Sequence, residues 1–139
     1  MARVFWDSNL FIYLMEKGER TDRVRSLRAA MTDRGDQLLT SSLTIGELLV
    51  KPLAVGAPHL AREYEAVIRE SATVVPFDID NARRFAEIRA RRGVKVPDAI
   101  QLACAAGAAV DLFITNDERL SRVVVDGIHF ITSLDRAFL

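Results

Sequence analysis

With a single cysteine among 139 residues, no internal disulfide can form. Cys104 stands in the apolar stretch Ile100-Gln101-Leu102-Ala103-Cys104-Ala105-Ala106 with no histidine beside it, which suits a core thiol and not a nucleophile. The only two histidines, His59 and His129, are isolated from each other. One cysteine and no histidine pair argue against a structural zinc site. Excess charge is also missing: 19 basic residues face 19 acidic ones. A polyanion must then be met by local basic patches and not by a global field. Candidate patches are Arg20, Arg23, Arg25 and Arg28, then Arg83, Arg84, Arg89, Arg91, Arg92 and Lys95, although solvated helix faces explain most such runs. No apolar run is long enough to span a membrane; the longest, Ala99 to Ile114, is cut by Gln101 and Asp111. The opening Met1-Ala2-Arg3-Val4-Phe5-Trp6-Asp7 is too short and too soon charged for a secretory leader. A soluble, cytoplasmic protein is expected. Neither a phosphate-cradling G-x-x-x-x-G-K-[ST] nor a G-x-G-x-x-G is present.

What is present is ample apolar material. Half of the residues are hydrophobic, enough for a sizeable core, and the length suits one domain over residues 1–139. Short apolar runs alternate with helical patterns. Strands are expected at Arg3 to Trp6, Gln37 to Thr40, Thr73 to Pro76, Val110 to Thr115 and Ile128 to Ile131. Helices are expected from Asn9 to Gly18, from an N-cap at Thr21 to Gly35, and from Leu43 to Leu49 with a break at Lys51-Pro52. Others start at Pro58, at a cap on Asp80, and at Pro97, with a short one from Glu118. Alternating strands and helices imply parallel pairing with right-handed crossovers. The expected fold class is α/β: a three-layer α/β/α sandwich with a mostly parallel sheet of four or five strands.

Four acids fall at equivalent places in this pattern. Asp7 follows the first strand, Glu47 lies early in the helix after the second, Asp98 sits in the first turn of the Pro97 helix, and Asp117 follows the Val110–Thr115 strand. Ligands of open parallel sheets bind beyond the carboxyl ends of the strands. Each acid alone has a structural explanation. Thr44-Ile45-Gly46-Glu47 has the form of a capping box, Asp98 complements a helix dipole, and Asp7 and Asp117 are ordinary turn residues. Together they make a carboxylate cluster whose mutual repulsion a hard cation would relieve. Carboxylates without histidine, thiolate or glycine loop leave metal-assisted attack of water on a phosphodiester as the favoured chemistry.

At these residues the sequence resembles the PIN-domain nucleases, and within them the VapC toxins of toxin–antitoxin pairs. The matching pieces are Val4-Phe5-Trp6-Asp7-Ser8-Asn9, Ser42-Leu43-Thr44-Ile45-Gly46-Glu47-Leu48, Val96-Pro97-Asp98-Ala99-Ile100 and Phe113-Ile114-Thr115-Asn116-Asp117. They cover essentially the whole chain. The resemblance implies an α/β/α fold, Mg²⁺ or Mn²⁺ as cofactor, and hydrolysis of single-stranded or looped RNA (tRNA or rRNA) to 5′-phosphate and 3′-hydroxyl products. It implies that Asp7, Glu47 and Asp98 are the core metal-binding acids and that Asp117 is the fourth, which either completes a second cation site or holds the attacking water. Ser8 then orients Asp7, Asn9 supports it, and Thr115 and Asn116 form the turn that presents Asp117. It further implies a homodimer and a small VapB-like antitoxin. The run Arg89 to Lys95, just before Asp98, is the best candidate for gripping RNA. A PIN nuclease of RNA maturation, a phosphoacceptor signalling domain on Asp7 and a non-catalytic binding module are the competing readings. Asp7-Ser8-Asn9 lacks the acid pair that a phosphoacceptor needs.

Overall fold

The structure, a computed structural model, describes residues 1–137. Five strands form one sheet: β1 (Arg3–Trp6), β2 (Gln37–Ser41), β3 (Thr73–Val75), β4 (Leu112–Thr115) and β5 (Phe130–Ser133). Their order is β3-β2-β1-β4-β5, and every pairing is parallel. Among the described residues the α-helices are α1 (Ser8–Met15), α2 (Thr21–Arg34), α3 (Ser42–Ala54), α4 (Pro58–Ser71), α5 (Ile79–Arg91) and α6 (Val96–Gly107). The expected three-layer α/β/α class is what the chain adopts.

The layers follow from the two-residue period of the strands. Val4 and Trp6 point to one face, where they join Leu10, Phe11, Val24, Leu27, Leu48 and Ile68 from α1 to α4. Phe5 points to the other face and joins Ile88, Leu102 and Phe113, under α5 and α6. The same alternation splits Leu38 from Leu39 and Phe113 from Ile114. Phe5 and Phe113 are register partners on adjacent strands, and their rings stack 5.2 Å apart. Trp6, fully buried, packs on Phe11 with ring centres 5.3 Å apart.

The chain winds from β1 outward to β3 with its helices on one face, then returns across the other face to β4 and β5. The direction reverses between β1 and β4, so the loops after these two strands part from each other and open a crevice. Asp7 follows β1 into that crevice, and Asp117 follows β4 at its side.

Several boundaries differ from the sequence expectations. The Leu43–Leu49 helix starts at Ser42 and runs through Pro52 to Ala54. Proline removes one N–H bond, but its ring is buried, and the Lys51 and Pro52 carbonyls accept from Val55 and Ala57. Asp78, not Asp80, caps α5, accepting from the Asn81 amide at 2.9 Å; Asp80 instead pairs with Arg83. Thr21 does not cap α2. It is buried and donates to the Tyr13 carbonyl at 2.6 Å, tying α1 to α2. The last strand begins at Phe130, two residues late, so His129 lies before it with its ring exposed near Asp111.

Candidate functional site

Each of the four acids gets its position from a strand end or a helix start. Asp7 follows β1 directly, and its amide donates to the Ile114 carbonyl of β4 at 3.2 Å. Its carboxylate caps α1, Oδ1 accepting from the Asn9 amide at 3.0 Å. Oδ2 accepts the Thr115 hydroxyl proton at 2.6 Å. Asp117 caps a short 3-10 helix, Glu118–Arg122, and its amide donates back to the Thr115 oxygen at 3.1 Å. Thr115 therefore holds both the first and the fourth acid. Asp98 lies in the first turn of α6, where Pro97 needs no hydrogen-bond partner for its nitrogen.

Glu47 is held differently from the capping-box reading. Ser41 is the N-cap of α3, and Thr44 is inside the helix and fully buried. Glu47 faces the crevice, and its Oε1 accepts the Ser8 hydroxyl proton at 2.6 Å. Ser8 thus orients Glu47 and not Asp7, because α1 begins at Ser8 and turns that hydroxyl toward α3.

Below Glu47 lies a buried polar chain that the sequence did not announce. Gln101 donates to Ser8 and to Thr44, both at 2.9 Å, and accepts from Ser41 at 2.5 Å. Thr40 stands 2.8 Å from both the Trp6 carbonyl and Thr44. The carbonyl has no proton to give, so the Thr40 proton goes there and Thr44 must donate to Thr40. Every proton is then used once, and the chain runs one way: Ser41 to Gln101, and Gln101 to Ser8 and on to Glu47. A glutamine in the apolar pattern of α6 was the only signal that sequence offered.

Asp7, Glu47 and Asp98 line one small crevice of about 90 Å³, with Asn9 and Gln101 in its wall. Asp117 lies outside it, in an adjoining bay of about 460 Å³ that Asp98 shares. The structure therefore brings three acids together and hangs the fourth beside them. Asn116 follows β4 with its Oδ1 buried and without a partner, and Asn9 contributes its amide to Asp7 while its side chain stays exposed.

The electrostatics separate the acids. Burial pushes the Asp7 carboxyl up to about 6, and the charges of Asp98 and Glu47 add to the rise against the Thr115 and Asn9 hydrogen bonds. Burial also raises Asp98, helped by Asp117 and Glu47 and opposed by Lys95 and Arg119. Asp117 is lowered, chiefly by its hydrogen bonds from Arg119. Among the described residues, no three acidic, imidazole or thiol groups are gathered tightly enough to hold an ion between them. The donor set nonetheless fits a hard divalent cation. It is all oxygen, and the charge of its buried member is penalised first by burial and then by the neighbouring Asp98 and Glu47, penalties that a cation would offset.

The basic candidates sort themselves. Arg20 pairs with Asp135, Arg23 holds the Leu134 and Ala137 carbonyls, and Arg28 reaches the Ser71 carbonyl. Arg84 bonds Asn81, and Arg89 fixes the Val94 carbonyl at 2.7 Å. Arg91, Arg92 and Lys95 instead line the bay, joined by Arg119 and Arg122, which were not singled out from sequence. Cys104 is buried with its thiol pushed up to about 12 by burial, which leaves it inert. No helix among the described residues is long and apolar enough to cross a membrane.

A PIN domain family model matches residues 4–125. No curated protein sequence matches the chain. Among solved structures, VapBC2 from Rickettsia felis bound to a promoter DNA fragment superposes with a TM-score of 0.74 at 12% identity, over 94% of this chain and 98% of that one. DNA-bound VapBC from Salmonella typhimurium gives 0.71 at 24% identity, over 96% and 99% of the two chains. VapC20 from Mycobacterium tuberculosis, a sarcin–ricin loop cleaving toxin, gives 0.64 at 17% identity, over 79% and 86%. At these identities the likeness is one of fold.

Proposed function

The chain belongs to the PIN domain family, and from that premise we propose that it is a divalent-metal-dependent endoribonuclease and the toxin of a toxin–antitoxin pair. One observation carries the proposal: a buried carboxylate, Asp7, pushed up to about 6, shares its crevice with Glu47 and Asp98 at the point where the strand order reverses. A pure binding module gains nothing from stacking uncompensated acids beside a phosphate.

Asp7, Glu47 and Asp98 would hold Mg²⁺ or Mn²⁺. When bound, that ion supplies a Lewis acid that makes water nucleophilic at neutral pH and neutralises charge on the phosphate oxygens. The chain's own residues do the rest. Thr115 fixes Asp7, and Ser8 fixes Glu47, so that two acids keep one orientation. Asp117, a carboxylate at neutral pH, would either help hold a second cation or accept a hydrogen bond from the attacking water. That water adds to phosphorus, the bond to the 3′ oxygen breaks, and the proton passes to that oxygen. The products carry a 5′-phosphate and a 3′-hydroxyl.

The chain would act as one PIN domain over residues 1–139, as a homodimer, with a tRNA or rRNA loop as target and a small VapB-like antitoxin as inhibitor. The structural neighbours from Rickettsia felis and Salmonella typhimurium are toxin–antitoxin complexes, which supports the partner. An arginine from such a partner would find accessible carboxylates at Glu47 and Asp98, beside the buried Asp7.

The test is incubation of purified, antitoxin-free protein with total RNA in Mg²⁺, in Mn²⁺ and in EDTA, beside Asp98→Asn. Cutting at a few positions is expected with metal, none with EDTA, and at least about a hundredfold less with the variant. Cutting that survives both EDTA and the substitution would sink the assignment, and no cutting at all would restore the binding module.

A further inference from the structure

We propose that the bay beside the acids is a subsite for a backbone phosphate of single-stranded RNA, next to the scissile one, and that Arg119 leaves Asp117 to hold it. The proposal rests on the ribonuclease reading and names where that substrate lies.

The bay has the volume of a small-ligand pocket, about 460 Å³. Five cationic side chains line it: Arg91, Arg92, Lys95, Arg119 and Arg122. Most arginines elsewhere are occupied by carboxylates or carbonyls. Among the described residues, Arg91, Arg92, Lys95 and Arg122 make no side-chain hydrogen bond or ion pair, so their donors are unspent. Like charges gathered without partners repel each other, and an anion relieves that. The bay shares Asp98 with the acid crevice, so a phosphate seated in it lies one step along a strand whose next phosphate meets the acids. Five cations around an open bay, with no aromatic wall, suit a backbone and not a base.

Arg119 is the exception, because it is spent. Its Nε donates to Asp117 Oδ1 at 3.1 Å and its Nη2 to Oδ2 at 3.0 Å. This is the two-pronged geometry that guanidinium offers equally to a phosphate. The pair is solvent-exposed on the arginine side, 77% of that side chain being accessible, so exchange costs little. Asp117 keeps the Arg119 amide on Oδ1 at 2.9 Å when the guanidinium departs, so the carboxylate stays in place as it is uncovered. An incoming strand would thereby expose the fourth acid only when a phosphate has replaced it as Arg119's partner.

The experiment measures the affinity of a short single-stranded oligoribonucleotide in EDTA, which separates binding from cleavage, for the wild type, Arg119→Ala, Asp117→Asn and the double variant. The amide oxygen introduced by Asp117→Asn can still accept the Arg119 backbone N–H, and thermal melts verify that all four proteins are folded. Binding about tenfold weaker is expected for Arg119→Ala, with the salt slope shallower by about 0.7 for each phosphate no longer held. The loss should be larger in the Asp117→Asn background, where Arg119 gives up no ion pair on leaving. If Arg119 merely neutralises Asp117, the order reverses: the loss is large in the wild type and nearly absent once Asp117 is neutral. That reversed order, equal losses in the two backgrounds, no loss at all, or a wild type that holds no RNA in EDTA, overturns the proposal. Cleavage in Mg²⁺ is read in parallel. Binding without cleavage would fail the ribonuclease reading alone, and cleavage without Arg119-dependent binding would fail this one alone.

Discussion

Asp7→Asn is expected to make the protein more stable and inactive at once. Asp7 titrates at about 6 in the folded chain and at about 3.9 when unfolded. Below about pH 4 the carboxyl is protonated in both states and costs nothing. Between these values the unfolded chain releases its proton first, so stability falls as pH rises. Above about pH 6 the full penalty is present, about 3 kcal/mol for the shift. Asparagine removes the charge and keeps the oxygen that accepts the Asn9 amide, but it leaves the Thr115 proton without its acceptor. That loss is about 1 kcal/mol. A net gain near 2 kcal/mol corresponds to a melting temperature higher by roughly 6 °C. Thermal melts in EDTA should show this gain at pH 8 and lose it by pH 4. A variant that melts below the wild type at pH 8 would contradict the burial argument. Mg²⁺ at a hundred times its dissociation constant should add about 2.7 kcal/mol to the wild type and nothing to the variant. RNA cleavage should fall at least about a hundredfold.

The second large effect is on Gln101→Met, which keeps the side chain's length and removes its polarity. Gln101 is 3% exposed, so water cannot replace what is lost. Ser41 would keep its proton with no acceptor, and Ser8 and Thr44 would each lose an incoming donor. Stranded buried groups cost about 1–3 kcal/mol each. A total near 3 kcal/mol lowers the melting temperature by roughly 10 °C. The Mg²⁺-induced rise should shrink as well, because Ser8 then swings free with Glu47 attached. Gln101→Glu should be worse: its carboxylate still takes the Ser41 proton, but it donates nothing and adds a further negative charge below the acids. A Gln101→Met protein that melts with the wild type would show that the chain of hydroxyls is ornamental to stability.

These two residues mark how far sequence reasoning reaches. Asp7 was legible because strand periodicity ends at Trp6, and an acid at a strand's carboxyl end carries positional meaning. Glu47 and Asp117 were placed by the same logic, whereas Asp98 joined them only on the condition that its helix begins at that edge, as α6 does. Gln101 was not legible, since its partners Ser8, Ser41 and Thr44 come from other stretches of the chain, and only the folded sheet joins them. Thr44-x-x-Glu47 misled for a related reason. The local motif fits a cap, but tertiary partners took Thr44 inward and Ser41 became the cap. Pro52 misled because burial outweighed one missing hydrogen bond. Arg119 escaped notice because its pairing with Asp117, two residues away, depends on the tight turn of a 3-10 helix.

The burial of Trp6 has an optical consequence. It is the chain's one tryptophan, its indole nitrogen is sealed from solvent without a hydrogen-bond partner, and its neighbour in sequence is Asp7. All indole emission from the native protein therefore originates in one dry place on the central strand, short in wavelength and one peptide bond from the most perturbed carboxyl. The protein carries its own fluorophore at the spot where protonation, cation binding and loosening of the central strand would first be felt, and no label needs to be added to watch them.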